Sequence, residues 1–312
     1  MRLGLDLGGT KTDAVAIDRS NAVIGRVRLR TETGVAGVIE TVAAAVEALA
    51  ALPGIDRAEF RSVGIGMPGQ VVPGSSVVTQ ALNLQVRDLD VVELIAPRLG
   101  LQVRVENDVK AAAIGAFALD DQQAHSLAYL NIGTGVAAGT VIGGRLWRGQ
   151  RGAAGEIGHI SIDPAGPRCV CGDQGCIEAF AGGGAIAARW GRPAELPVLE
   201  VFDAADAGDP RAREVRADIA RAVAAAVRIL ILSNDVDMVV LGGGLTALRQ
   251  RLLPDIYAVL DASAERSAFL RSLRLSERIR VIEADSPAAA LGAAIIGGES
   301  NEEIVSEREF HG

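Results

Sequence analysis

Two heptapeptides in different halves of the chain share one layout. LDLGGTK (Leu5–Lys11) and LNIGTGV (Leu130–Val136) each run from an apolar residue, through a carboxylate or amide side chain and a second apolar residue, into a glycine–threonine turn. Each leads into an apolar stretch, TDAVAID (Thr12–Asp18) or AAGTVIGG (Ala137–Gly144), that reads as a second strand. A third strand follows in both places, AVIGRVRLRT after the Asp18–Asn21 turn and RLWRG after Gly143–Gly144. A strand–turn–strand opening used twice constrains the chain to two copies of one α/β unit. Its 312 residues are enough for two domains, and 49% apolar residues are enough for a core in each.

The remaining segments fit such units. GVIETVAAAVEALAAL has helical spacing and stops at Pro53-Gly54, and RSVGIGMPG is a strand running into a turn. DVVELIAPRLG is a short helix, QVRVEND a strand and VKAAAIGAFAL a helix. Later come a long helix over Asp218–Leu232, a strand VDMVVLGGG, further helices and a C-terminal helix PAAALGAAIIGG (Pro287–Gly298). Aromatics are only 3%, so helices are expected to pack closely on alanine and glycine. The second copy carries an insertion that holds every cysteine of the chain.

A net charge of −8 argues against general binding to nucleic acid or to anionic membranes. The N-terminus has no apolar stretch of the signal-peptide kind. AVAAAVRILIL (Ala222–Leu232) is too short to cross a bilayer and contains Arg228. The expected setting is cytoplasmic, where thiols stay reduced. The tail ESNEEIVSEREFHG is charged and is expected to be loosely ordered.

Three glycine motifs invite a nucleotide-fingerprint reading, and none of them satisfies it in full. GIGMPG (Gly64–Gly69) fits the dinucleotide pattern G-x-G-x-x-G, but QVVPGSSVV follows it, where that pattern needs a helix. GTGVAA (Gly133–Ala138) fails for the same reason, because a strand follows. GLDLGGTK nearly fits a P-loop, yet Thr10 stands where the lysine belongs. What remains is a pair of glycine–threonine turns inside hairpins. Plain hairpin chemistry explains one of them. Two at matching places, with Asp6 before the first and Gly242–Gly244 after a late strand, favour backbone amides that cradle phosphate.

CVCGDQGC (Cys169–Cys176) gathers three thiols, and His159 stands just upstream. Three reduced buried thiols, a C-x-C redox pair or a tetrahedral metal site with Cys₃His ligands could each account for the cysteines. Only the last also uses Cys176 and His159. In VRVEND, Asp108 at a strand's C-terminal end fits two roles, a helix N-cap or a general base.

DLGGTK, NIGTGVAAG and VVLGGG resemble the two phosphate loops and the adenosine loop of the actin-like ATPase and sugar kinase superfamily. The longer stretch GQRGAAGEIGHISIDPAGPRCVCGDQGCIEAFAGGGAI (Gly149–Ile186) is similar to the signature of the ROK family of sugar kinases and related repressors, and the likeness runs from Leu3 to about Gly298. The resemblance implies an α/β fold of two actin-like ATPase (ribonuclease H-like) domains flanking a cleft. A small domain would take residues 1–109 and 287–312, and a large one residues 110–286 with the zinc-binding insertion. It implies ATP-dependent phosphorylation of a hexose at its 6-hydroxyl, with glucose first and fructose, mannose, N-acetylmannosamine and N-acetylglucosamine still open.

The same resemblance implies the site residues. Asp108 would be the base. Gly69, Gln70, Asn83, Asn107, Glu156, His159 and Glu178 would line the sugar. Gly8, Gly9, Thr10, Lys11, Gly133, Thr134, Gly135, Gly242, Gly243 and Gly244 would approach the nucleotide. Asp6 would sit near Mg²⁺ through water, and His159, Cys169, Cys171 and Cys176 would hold a structural Zn²⁺. A homodimer or a dimer of dimers is implied as well.

Two departures from the family pattern stand out. NLQVRDLD lacks the tryptophan that many glucokinases of the family carry after the NL pair, and Ala137 stands where glycine is frequent. Repressors of the family carry a DNA-binding arm before the first phosphate loop, where this sequence has only Met1 and Arg2. A sugar-sensing member without turnover is the other reading.

Overall fold

A computed structural model describes residues 1–121, 124–192 and 196–299. The last thirteen residues of the expected tail lie outside the described residues. The chain divides into two compact units, one of Met1–Gln123, Gly139–Ala154 and Pro287–Gly312, the other of Ala124–Ala138 and Gly155–Ser286.

The first sheet has strands β1 (Arg2–Leu7), β2 (Lys11–Ile17), β3 (Val23–Arg30), β4 (Ser62–Met67) and, after a small hairpin of β5 (Val77–Ala81) and β6 (Val86–Asp90), β7 (Gln102–Asn107). Its order is β3-β2-β1-β4-β7, antiparallel through β1 and parallel beyond it. The second sheet repeats that order with β8 (Ser126–Ile132), β9 (Val136–Ile142), β10 (Arg145–Trp147), β11 (Met238–Gly242) and β12 (Ile279–Val281), running β10-β9-β8-β11-β12. Asp6 pairs with Gly66 of β4, and Asn131 pairs with Gly242 of β11 in the same way. The repeat read from two heptapeptides is therefore a repeat of topology.

Central strands are buried on both faces, as parallel strands covered by helices are. Every residue of β4 and of β11 is buried. In the first unit, helices α1 (Gly34–Ala50), α2 (Val91–Leu99) and α3 (Asp108–Ala118) follow their strands. In the second come α4 (Ile177–Ala181), α5 (Gly183–Trp190), α6 (Pro197–Asp206), α7 (Pro210–Asn234), α8 (Arg249–Arg266) and α9 (Ala268–Ser272). Helix α10 (Ala288–Gly297) returns the chain to the first unit, where it packs on β1, β4 and α3.

Helix α7 begins earlier than its apolar stretch predicts. Asp209 caps it by accepting from the N–H groups of Arg211 and Ala212 at 2.9 and 3.1 Å, and Pro210 takes the first position. The charged run RAREVRAD hides an apolar face on which Ala212, Val215 and Ile219 are buried. No helix follows Gly69; the chain passes into the β5–β6 hairpin, as expected for a segment that is no dinucleotide fingerprint.

Candidate functional site

The first unit brings one group of the expected residues together. The Gly8–Thr10 turn joins β1 to β2, and the Gly8 N–H closes it by donating to Lys11 O at 3.1 Å. That amide is committed inside the protein, which leaves Gly9 and Thr10 to present theirs. Gly9 abuts Asn83, because a Cβ there would lie 3.1 Å from the Asn83 Cβ. Asn107 ends β7, and its Nδ2 donates to Gly69 O at 3.1 Å, tying the two loops expected to face sugar. Gln70 donates from Nε2 to Arg151 O at 3.0 Å.

The residue that caps α3 is Asn107. Its Oδ1 accepts from the N–H groups of Val109 and Lys110, both at 3.1 Å. Asp108 stands at the first helical position, and its Oδ1 also accepts from Val109 N–H at 2.9 Å, so the two side chains share that donor while Lys110 N–H goes to Asn107. Asp6 titrates high, at about 7. Burial is the largest cause; the negative charges of Asp108 and then Asp13 add to it, and Lys11 opposes them.

The second unit collects the rest. The Gly133–Gly135 turn joins β8 to β9, closed by Gly133 N–H to Gly135 O at 3.0 Å. Helix α5 is tied to it through Gly183 N–H to Gly133 O at 2.8 Å and Gly184 N–H to Thr134 O at 3.1 Å. Glu178, in the first turn of α4, accepts from Val136 N–H at 2.8 Å. A Cβ on Gly135 would lie 2.5 Å from that carboxylate, so a side chain there would displace Glu178 from its place against the turn. Glu156 and His159 flank a single 3₁₀ turn (Ile157–His159), and Glu156 is exposed. Gly242 ends β11 and Gly243 follows it; a Cβ on Gly242 would run into the Tyr129 hydroxyl.

The ligand atoms of His159, Cys169, Cys171 and Cys176 lie within 4.8 Å of one another. His159 Nδ1 is 3.7 Å from Cys169 Sγ, and Cys171 Sγ is 3.7 Å from Cys176 Sγ. Tetrahedral bonds of zinc–thiolate length put ligand atoms about 3.8 Å apart, so the donor set fits such an ion. The thiols fit it electrostatically too. Burial first, then crowding by the other two sulfurs, pushes Cys176 up to about 12. Cys169 is also raised, by burial above all, while Cys171 is lowered by a backbone N–H from Asp173. The two buried thiols, Cys169 and Cys176, would ionise alongside the exposed Cys171 most readily beside a cation.

The model of the ROK family matches residues 2–299. This chain belongs to the ROK family. A curated relative, the N-acetylmannosamine kinase of Yersinia pseudotuberculosis serotype O:1b (strain IP 31758), is 33% identical over 270 residues, covering 82% of this chain and 90% of its own. A solved ROK hexokinase from Thermus thermophilus matches with a TM-score of 0.79 and 31% identity, covering 98% of this chain and 99% of its own. A ROK family glucokinase from Streptomyces griseus, solved with glucose and AMPPNP, matches with a TM-score of 0.73 and 29% identity over 95% of this chain and 98% of its own. The two-domain α/β fold of the family is the fold of this chain.

Three residues of this ROK chain escaped the sequence reading. Glu106, Lys110 and Arg148 are 4%, 3% and 9% exposed, low values for charged side chains. Arg148 Nε donates to Glu106 Oε2 at 2.6 Å, and Lys110 Nζ donates to Gly152 O. A charge beside the inward-facing valines of VRVEND was the available signal for Glu106. Nothing local marks the other two.

Proposed function

We propose that this ROK chain transfers the γ-phosphoryl group of ATP to the 6-hydroxyl of a hexose. It is an ATP-dependent sugar kinase, with Asp108 as its general base. The observation that carries this reading is the division of labour at the head of α3. Asn107 is the N-cap of the helix, while Asp108, which shares the Val109 N–H at 2.9 Å, puts its negative charge beside Asp6.

The 6-hydroxyl oxygen attacks the γ-phosphorus, its proton passes to Asp108, and the bond from that phosphorus to the β–γ bridging oxygen breaks. ADP leaves with the bridging electrons. A positioned base contributes about 10²–10⁴ in rate, and the rest comes from placing the two substrates and neutralising charge. Lys11 and the amides of Gly9 and Thr10 serve that second task, with Thr134 and Gly135 in the matching turn. Mg²⁺ bound with ATP would supply further neutralisation, with Asp6 as the residue that would hold it. Glu156, His159 and Glu178, with Gly69, Gln70, Asn83 and Asn107, orient the sugar.

His159, Cys169, Cys171 and Cys176 would hold Zn²⁺, which with four protein ligands would serve structure by fixing the loop between Glu156 and Glu178. Reduced thiols suit the cytoplasm, and we place the protein there as a homodimer or a dimer of dimers.

N-acetylmannosamine is the acceptor supported by the 33% identical Yersinia kinase. Glucose is the second reading, favoured by the glucose-bound Streptomyces griseus enzyme. An ADP-release assay over glucose, mannose, fructose, N-acetylglucosamine and N-acetylmannosamine decides between them. The expected result is turnover on at least one sugar and a loss of about 10³ or more in kcat for Asp108→Ala. No turnover on any sugar, or an unaffected variant, sinks the kinase reading.

A further inference from the structure

We propose that Glu106 is a positioning residue for the phosphoryl transfer, fixing the backbone of Asn107, and through it Asp108, by way of a buried ion pair with Arg148. The proposal rests on the kinase reading above.

Strand β7 lies at the edge of its sheet and ends at Asn107, where the chain turns into α3. Asn107 keeps extended backbone angles, φ −60° and ψ 138°, so its own N–H cannot join the helix. A backbone N–H at such a junction needs an acceptor. Glu106 supplies it, because Oε1 accepts from Asn107 N–H at 2.9 Å. The other oxygen, Oε2, accepts from Arg148 Nε at 2.6 Å. A second Arg148 nitrogen, Nη2, lies 3.5 Å from Glu299 Oε2.

One carboxylate therefore spans the peptide that carries the sugar-facing amide and the guanidinium that holds it in place. The same loop is fastened twice more. Lys110, two residues after the base, donates to Gly152 O, and Gln70 donates to Arg151 O at 3.0 Å. Asn107 in turn holds Gly69 O at 3.1 Å. Rotation of the Glu106 carboxylate would shift Asn107 N–H, the cap of α3 and the Gly69 loop together. These are the groups that aim Asp108 at the sugar hydroxyl.

A merely structural pair predicts something different. Two apolar residues of similar volume can replace a buried ion pair without loss of stability, and activity would then follow stability. A positioning role predicts that the two part company. Glu106→Met with Arg148→Met removes both charges and also the acceptor for Asn107 N–H. Glu106→Gln with Arg148→Met removes the charges but keeps an oxygen for that N–H. The expected result is similar unfolding midpoints for the two double variants and a graded kcat, with the wild type highest and the Met pair lowest.

The Met pair should lose about a hundredfold in kcat at saturating sugar, with the KM for ATP within about twofold of wild type. Wild-type kcat in a folded Met pair overturns the proposal, as does an equal loss in both double variants. If the Met pair does not fold, Glu106→Gln alone decides, and an unchanged kcat there is the overturning result. Asp108→Ala is measured alongside. Full turnover in that variant brings down the kinase reading itself. A dead Asp108→Ala beside unimpaired Glu106 variants brings down only the positioning role.

Discussion

Asp6 ends a buried stretch of strand with a second carboxylate, Asp108, in its field, and it keeps its proton to an unusually high pH. Its folded value of about 7 stands above the ordinary 3.8, chiefly through burial and next through the charge of Asp108. Between those two values the folded protein binds more protons at Asp6 than the unfolded chain does. Stability therefore falls as pH rises through that window, and a cost of about 4 kcal/mol is reached above it. Asp6→Asn should raise the denaturation midpoint at pH 8 and leave it nearly unchanged at pH 4, while destroying turnover. Equal gains at both pH values in denaturant titrations would show that Asp6 does not titrate there. Asp6 was legible as a candidate, because it stands one residue before a glycine turn. Its titration was not, because the charge that raises it comes from Asp108, far along the chain and brought near only by the β1–β4–β7 register. The cap on α3 was left open at the same scale: VRVEND offers two capping side chains in a row, and only the backbone decides that Asn107 is the N-cap.

At the scale of elements, the thiol loop and helix α4 are one device. Ser161 pairs with Cys176, and Arg168 with Gln174, so the loop is a tight antiparallel fold around the donor atoms. Gly172 and Gly175 adopt φ of 100° and 68°, and a Cβ on Gly175 would run into Asp163 O, which is why the spacers between these cysteines are glycine. Cys176 is the N-cap of α4, and Glu178 follows in its first turn. Whatever fixes Cys176 also fixes Glu178. Cys176→Ser should lower bound metal well below one equivalent and raise the KM for sugar by about tenfold or more, with the KM for ATP moving less. Metal analysis together with steady-state kinetics on purified protein checks both; full metal content with an unchanged sugar KM would detach the loop from the sugar. The grouping of His159 with the cysteines could be read from their crowding in the sequence. The bond from Val136 N–H to Glu178 could not, since 42 residues separate the partners and no local pattern links a hairpin turn to a helix start.

At the scale of the whole molecule, the doubled strand order was legible because each copy opens with the same strand–glycine–strand phrase, and glycine at a hairpin is a strong local signal. The fit of α10 was less so. PAAALGAAIIGG reads as a helix, but its apolar residues do not say which surface they meet. The structure answers with small residues on both sides. A Cβ on Gly4 would run into Ala290 O, one on Gly64 into Ala293 O, and one on Gly292 into Ala111 O. Val15 and Ile17 are buried with Ala290, Leu291 and Ala294. The first strands of the chain are thus covered by its last described helix, and the core of the first unit is incomplete without α10. The buried core of the second unit, by contrast, draws on residues only as far as Ile279. A chain ending at Ser286 should therefore lose the unfolding transition of the first unit in calorimetry and keep that of the second. Gly64→Val, which wedges the same helix away without deleting it, should destabilise the first transition selectively, by about 3 kcal/mol or more. Retention of both transitions in the shortened chain, or an equal shift of both in Gly64→Val, would mean that α10 is not what closes the first unit.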